Sequence, residues 1–232
     1  MTNNSQAQEN IMRTFDTPSP IFAVLNIPAG RVRFIAADRS DTTVRVLPVD
    51  AAKGRDVKAA ARTTVAYGDG VLRIETPGGK NQLLGSSGSI EVTIGLPAGS
   101  GVEAKTACCE VSGVGRLGDV AFEGAYREIR FDEAASVRLT AIDGDVEVGR
   151  LGGSAEISTT RGDIRIAEAV RGTVVLRTES GDISVTAAAG ASAALDAGTG
   201  YGRVNNALKN DGTAELDIRA TTSHGDITAR SL

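Results

Sequence analysis

The chain has 232 residues, a net charge of −4 and a pI near 5.2, and it is 41% hydrophobic but only 3% aromatic. This balance offers no basic field for a nucleic-acid backbone and no set of rings on which bases could stack, so nucleic-acid binding is not expected. The longest early apolar run, Ile21 to Leu25, is too short for a signal-peptide core or a bilayer span, so no membrane insertion is expected and the cytoplasm is the expected compartment.

Residues 1–14 are polar and read as a flexible tail ahead of a single domain, 15–232, whose first part, about 15–100, is less regular than the rest. Ala51 to Thr64 fits either a short helix or an edge strand, and alternation at Val57, Ala59 and Ala61 favours the strand. Gly70-Val71-Leu72-Arg73-Ile74 and Gly88-Ser89-Ile90-Glu91-Val92 then introduce a phrase that dominates residues 101–232. Its clear copies are Gly144-Asp145-Val146-Glu147-Val148, Gly162-Asp163-Ile164-Arg165-Ile166, Gly181-Asp182-Ile183-Ser184-Val185 and Gly225-Asp226-Ile227-Thr228-Ala229. Degenerate copies begin at Cys109, Arg127 and Gly202. A glycine, an acid and then apolar residues at alternate positions describe a strand leaving a tight turn.

The glycine slot recurs at 109, 127, 144, 162, 181, 202 and 225, in steps of 18, 17, 18, 19, 21 and 23. Each period also holds an earlier strand: Val102–Lys105, Val137–Thr140, Ala155–Ser158, Val175–Thr178, Ala193–Asp196 and Leu216–Arg219. A unit of strand, turn, strand and turn cannot bury its apolar face alone, so it must stack on the next copy. The expected fold is all-β: a single-chain β-solenoid, or β-helix, with about 18–23 residues and two short strands per coil. Absent tryptophan and abundant Ala, Val, Ile and Leu suit its narrow core, and 28 glycines suit its corners. A twisted β-sandwich or prism-like domain is the alternative, although neither needs one turn repeated at near-constant period.

The run from Thr17 through Leu25-Asn26-Ile27-Pro28-Ala29-Gly30, the Gly70 strand, Ile94-Gly95-Leu96-Pro97-Ala98-Gly99 and the serial Gly-Asp-Ile turns carry a resemblance. The chain is similar, over about residues 12–232, to a bacterial β-strand-repeat family of unknown function labelled a candidate adhesin. The resemblance implies a β-helical fold and suggests surface adhesion, and it supplies no catalytic residues to carry over.

The slot after the glycine lines up an acidic column, Glu110, Glu128, Asp145, Asp163, Asp182 and Asp226, broken once by Arg203. Neighbouring carboxylates about 5 Å apart repel by about 1 kcal/mol in water and about 3 at an effective dielectric of 20, so something must offset them. The first candidate is hydrogen bonding from each acid's own turn or simple solvation, and the second is a groove for a cation or a basic partner. Two positions on, Arg130, Glu147 and Arg165 alternate in sign, as cross-strand pairing favours.

Other motifs reduce to structure. Arg161-Gly162-Asp163 is one variant of the repeated turn, and Gly198 to Gly202 leads into a strand instead of a helix N-terminus. Cys108 and Cys109 are adjacent on a strand and point to opposite faces, and His224, the single histidine, stands far from them in sequence. Rings for sugar stacking are few and scattered, from Phe15 to Tyr67, Tyr126 and Tyr201. A non-enzymatic structural or scaffold role without a metal or cofactor is therefore expected, acting by self-association or partner docking on a repetitive β surface. An adhesin-like protein- or glycan-binding module is the first alternative, and a polysaccharide-active enzyme ranks after it. The partner is expected to be a second copy through end coils, chiefly the coil holding Leu216–Ala220 and Ile227–Ala229 if it is bare, or an unidentified protein.

Overall fold

A computed structural model describes residues 11–77, 88–124 and 127–232. The first ten residues of the expected tail and Tyr126 lie outside the described residues. The alternation of inward apolar and outward polar side chains builds strands β1 (Ile11–Asp16), β2 (Phe22–Ala37) and β3 (Asp41–Pro48), then helix α1 (Gly54–Arg62). It continues with β4 (Thr64–Gly68), β5 (Val71–Glu75), β6 (Ile90–Pro97), β7 (Gly101–Glu123), β8 (Ile129–Thr140) and β9 (Val146–Leu151). The repeat region completes the chain with β10 (Ala155–Arg161), β11 (Ile164–Ala169), β12 (Gly172–Ser180), β13 (Ile183–Ala187), β14 (Ala193–Tyr201), β15 (Val204–Ala207), β16 (Leu216–His224) and β17 (Ile227–Ser231). The molecule is all-β apart from α1, and its 17 described strands join in one hydrogen-bonded sheet.

β8 pairs in parallel with both β9 and β10, and from β9 onward every further pairing is parallel and skips the neighbour in sequence, giving two columns of strands. In one column Val137 pairs with Ala155, Ala155 with Val174, Val174 with Ile218, and Ile218 with Leu195. In the other, Ile129 pairs with Val146, Val146 with Ile164, Ile164 with Ile183, Ile183 with Ile227, and Ile227 with Val204. Side chains alternate between faces along a strand. Ile157, Leu176 and Ile218 therefore enter the core from one column while Val148, Ile166 and Val185 enter from the other, all fully or almost fully buried. The core is continuous from Ile21 to Ile227.

The order of the layers departs from the order of the chain. The β16–β17 layer lies between β12–β13 and β14–β15, because β16 pairs with both β12 and β14 while β17 pairs with both β13 and β15. The coil expected to be bare is thus an interior layer, and β14–β15 forms the open end. That end is blunted: all four residues of β15, including Asn205 and Asn206, are exposed, and β14 carries Gly198 and Gly200. Weak strand formers and charge at an edge discourage further pairing.

The opposite end is closed by a change to antiparallel pairing. β1 pairs with β3, β3 with β6, and β4 with β5, whereas β2 pairs in parallel with β5 through its first half and with β6 through its second. Arg13 donates to the Val65 carbonyl at 2.9 Å and the Phe15 and Tyr67 rings lie 5.4 Å apart, tying β1 to β4. Three expectations are corrected here. Residues 11–14 of the tail belong to β1. The upstream copies at Gly70 and Gly88 do not follow the single glycine-slot series: β5 and β6 stack in parallel on the first and second halves of β2, so the two copies fall in different columns, and each has an antiparallel partner as well. The Ala51–Thr64 segment holds helix α1, not an edge strand. The alternation at Val57, Ala59 and Ala61 lost to the spacing of Asp56 and Ala60, which four residues apart share the buried face of an alanine-rich helix. The Asp56 carboxylate accepts the Ser89 N–H at 3.0 Å, anchoring α1 to the start of β6.

The strands are also less uniform than two short ones per coil. β8 runs for 12 residues, and a short third segment aligns Ala134 with Leu151 and Leu151 with Ala169.

The register gives a direct test. Ile164 is fully buried and Arg165 is exposed. In thermal unfolding at neutral pH, Ile164→Asp is expected to destabilise by about 3–5 kcal/mol, because a carboxylate enters the core, whereas Arg165→Asp should cost under about 1 kcal/mol. Similar melting of the two variants would overturn this register.

Candidate functional site

From Gly144 onward, where a repeat turns from one column to the other, a glycine takes a positive φ, as in Gly225 at 151° and Gly202 at 154°. A side chain there would be strained, and it would also collide with a carbonyl of the adjoining layer: that of Gly181 for Gly225, and that of Gly225 for Gly202. Glycine is required by both conformation and spacing.

The acid that follows each glycine resolves the hydrogen bonding of the corner. The Asp145 carboxylate accepts the Asp163 backbone N–H at 2.8 Å, Asp163 accepts that of Asp182 at 2.7 Å, and Asp182 accepts that of Asp226 at 2.7 Å. Asp226 then accepts the Arg203 N–H at 2.8 Å and its guanidinium at 3.0 Å. The donors come from the next layer instead of each acid's own turn. Each link joins a carboxylate to an N–H dipole, and charge-assisted bonds of this kind offset the like-charge repulsion along the column.

The structure brings together four of the six expected acids in this ladder. Glu110 pairs with Arg31 at 3.7 Å, and the exposed Glu128 contributes its backbone carbonyl, which accepts the Val111 N–H at 3.2 Å. The Arg203 N–H, and then its guanidinium, hold the Asp226 carboxyl below its ordinary value of 3.8.

A second ladder was missed in the sequence. Thr178, Thr222 and Thr199, each three residues before a turn glycine, donate their hydroxyls to the carbonyls of Gly162, Gly181 and Gly225 at 3.1, 3.1 and 2.9 Å. Its signal was the Thr-x-x-Gly spacing of the repeat.

The remaining chemical groups are also engaged or separated. Cys109 is buried beneath the Ile27 carbonyl, and burial pushes its thiol up to about 12, while Cys108 is exposed on the other face. The His224 ring stacks on Tyr201 at 5.1 Å, and Arg161 pairs with Asp143 at 2.9 Å. Arg130 pairs with Glu147 at 3.7 Å, and Arg150 pairs with Glu168. Among the described residues, no group of three or more His, Cys, Asp or Glu side chains is arranged to hold a metal ion, and no helix is long and apolar enough to cross a membrane.

An open groove of about 480 Å³ runs along the first column, between Phe22 and Val175. Phe22 is half-exposed at one end, Val102, Val120 and Val137 form the floor, and Asp119, Arg138 and Glu156 contribute charge. Ser136 donates to Asp119 at 2.6 Å, leaving the second carboxylate oxygen available on the rim. The groove can seat an extended chain by apolar contact and rim hydrogen bonds.

Residues 85–230 match the Toastrack DUF4097 family. No curated protein matches the chain. A candidate cell adhesion protein of Clostridium sporogenes is 14% identical and aligns over 97% of this chain and 100% of its own, with a TM-score of 0.39. A candidate adhesin of Bacteroides fragilis is 17% identical over 96% of this chain and 98% of its own, with a TM-score of 0.48. One from Parabacteroides distasonis is 11% identical over 94% and 95%, with a TM-score of 0.32.

Removing one rung isolates its contribution. Asp182→Ala leaves the Asp226 N–H without its acceptor and is expected to cost about 1 kcal/mol in chemical unfolding, whereas Asp182→Asn keeps an acceptor oxygen and should cost less than half of that. Equal loss in both variants would mean that the bond contributes nothing. Asp226 gives the ladder a pH dependence. Its carboxyl is depressed in the folded state, so its stabilisation is complete above 3.8 and is lost as pH falls through the lower folded value. The stability gap between the parent and Asp226→Asn is expected to narrow on acidification through that range; a gap that widens would reverse the assignment.

Proposed function

The chain belongs to the Toastrack DUF4097 family, and from that premise we propose that it is a non-enzymatic β-solenoid scaffold that docks a partner along its flank. The two columns are the two main faces of one coil, and the repeated corner is what sets their spacing. The observation that carries the reading is the use to which the acids are put. Asp145, Asp163, Asp182 and Asp226 each accept the N–H of the adjoining coil, so the column is a structural seam instead of a reactive one. One end turns antiparallel and the other finishes in an exposed strand holding Asn205 and Asn206, so neither is a good template for indefinite stacking. The flank is left as the working surface, and its groove beside Phe22 is the place to dock.

A second reading is an adhesin-like module that takes a glycan in the same groove, favoured by the polar rim of Asp119, Ser136, Arg138 and Glu156 around a half-exposed ring. Two measurements separate the classes. Light scattering of native protein is expected to give the mass of one chain across dilution, and growth with concentration would move the working surface to the ends. A photo-crosslinking residue at Ala121, inside the groove, is expected to give one discrete protein adduct in the expressing cells, with none from the same residue at Ser184 on the other column. Equal labelling from both positions would remove the groove from the function, and adducts only with added polysaccharide would select the glycan.

A further inference from the structure

The interior position of the β16–β17 layer has a consequence for association between chains. After β13 the chain skips one layer to form β14–β15, then returns to fill the slot it left. The fill is specific. Gly225 is needed because a side chain would strike Gly181, Thr222 donates to the Gly181 carbonyl, and Asp226 both donates to Asp182 and receives Arg203. Arg203 stands where the other regular layers carry an acid, and its guanidinium faces the Asp226 carboxylate, so the slot is also complementary in charge. Leu216, Ile218, Ala220 and Ile227 complete the core between the layers above and below.

We propose that this slot accepts the β16–β17 coil of a second copy of the chain, so that two chains can join as a coil-exchanged dimer. Every requirement of the slot is met by the same sequence whether it arrives in cis or in trans. The covalent link between β15 and β16 across the exchange is residues 208–215, a segment mostly exposed and turned by local bonds in which the Gly212 N–H donates to the Asn210 side chain and the Thr213 N–H to that of Asp211. Extended, eight residues span up to about 28 Å, enough to pass from one chain to another in contact with it. The inserted contacts are then the same in both forms, and the balance is set by the effective concentration of the tethered coil against that of its neighbours. An unfilled slot exposes two strand edges and an open core, so the choice is made during folding, when coils of several chains are within reach. The inference is independent of the flank-docking reading, which concerns native protein and a different surface.

Arg177 and Thr221 are both exposed and lie in register across β12 and β16. In full-length chains carrying Cys108→Ser, one variant receives Arg177→Cys and another Thr221→Cys, and a third receives both. The doubly substituted chain is the geometric control and is expected to close an internal disulfide as a monomer. The two single variants, unfolded, mixed and refolded together before oxidation, are expected to give a mixed disulfide dimer joining the two introduced thiols. Its ratio to monomer should rise about tenfold for a tenfold rise in chain concentration. Chains refolded separately and then mixed should give far less. Closure of the control with no mixed dimer at any concentration, or equal dimer from the separately refolded chains, would overturn the proposal. If Arg177→Cys or Thr221→Cys fails to fold, Val175→Cys with Arg219→Cys places the same test two residues earlier.

Discussion

A strand that turns a corner carries the backbone N–H of the turning residue away from its ladder, and this chain meets that deficit with a carboxylate from the neighbouring layer. The repeat phrase follows from that constraint. Glycine permits the positive φ and the close approach of two backbones, the acid accepts the stray N–H, and threonine three residues earlier satisfies the carbonyl of the adjoining layer's glycine. Each supplies a bond to an adjoining layer, so register is fixed at the corner as well as along the strands. Apolar alternation then places Ile164, Ile183 and Ile227 above one another without further specification.

The ladder has a direction. Asp163, Asp182 and Asp226 each offer the carboxylate to one side and the N–H to the other, so a stack built this way must finish with a residue that needs an acceptor and offers none. Arg203 is that residue. Its N–H is received by Asp226, its side chain adds a second bond to the same carboxylate, and among the described residues no further layer follows β15. The break in the acidic column is therefore the terminus of the stack, placed by chemistry at position 203 even though the chain continues to 232.

The period, the strands and the membership of the core were legible in the sequence because alternation and glycine spacing are local signals. Layer order was not, because the reading assumed that neighbours in sequence are neighbours in space; Ile183 pairs instead with Ile227. The acids were expected to accept from their own turns, whereas Asp145, Asp163, Asp182 and Asp226 accept from the next layer, since a distance between layers cannot be read from one turn. Helix α1 was obscured because small residues at Val57, Ala59 and Ala61 satisfy a strand pattern while Asp56 and Ala60 satisfy a helical one. The groove draws Phe22, Val102, Val120 and Val137 from three strands, and no short motif records that convergence.

One signal of the layer exchange did lie in the spacing. The regular steps of 17 to 19 residues lengthen to 21 and 23 at Gly202 and Gly225, where the chain skips a layer and then comes back. Skipping one layer moves the strand about 10 Å along the stack instead of about 5 Å. The connection from Ala187 to Ala193 covers that distance through a turn at Gly190, and the return uses the longer 208–215 segment, whose Lys209 carbonyl accepts the Ala193 N–H at the open end. Extra residues in a repeat are usually taken as a bulge on one face. Here they are the length needed to change layer, and they coincide with the one layer whose acid is replaced by arginine, so spacing and charge together identify the chain's reversal of order.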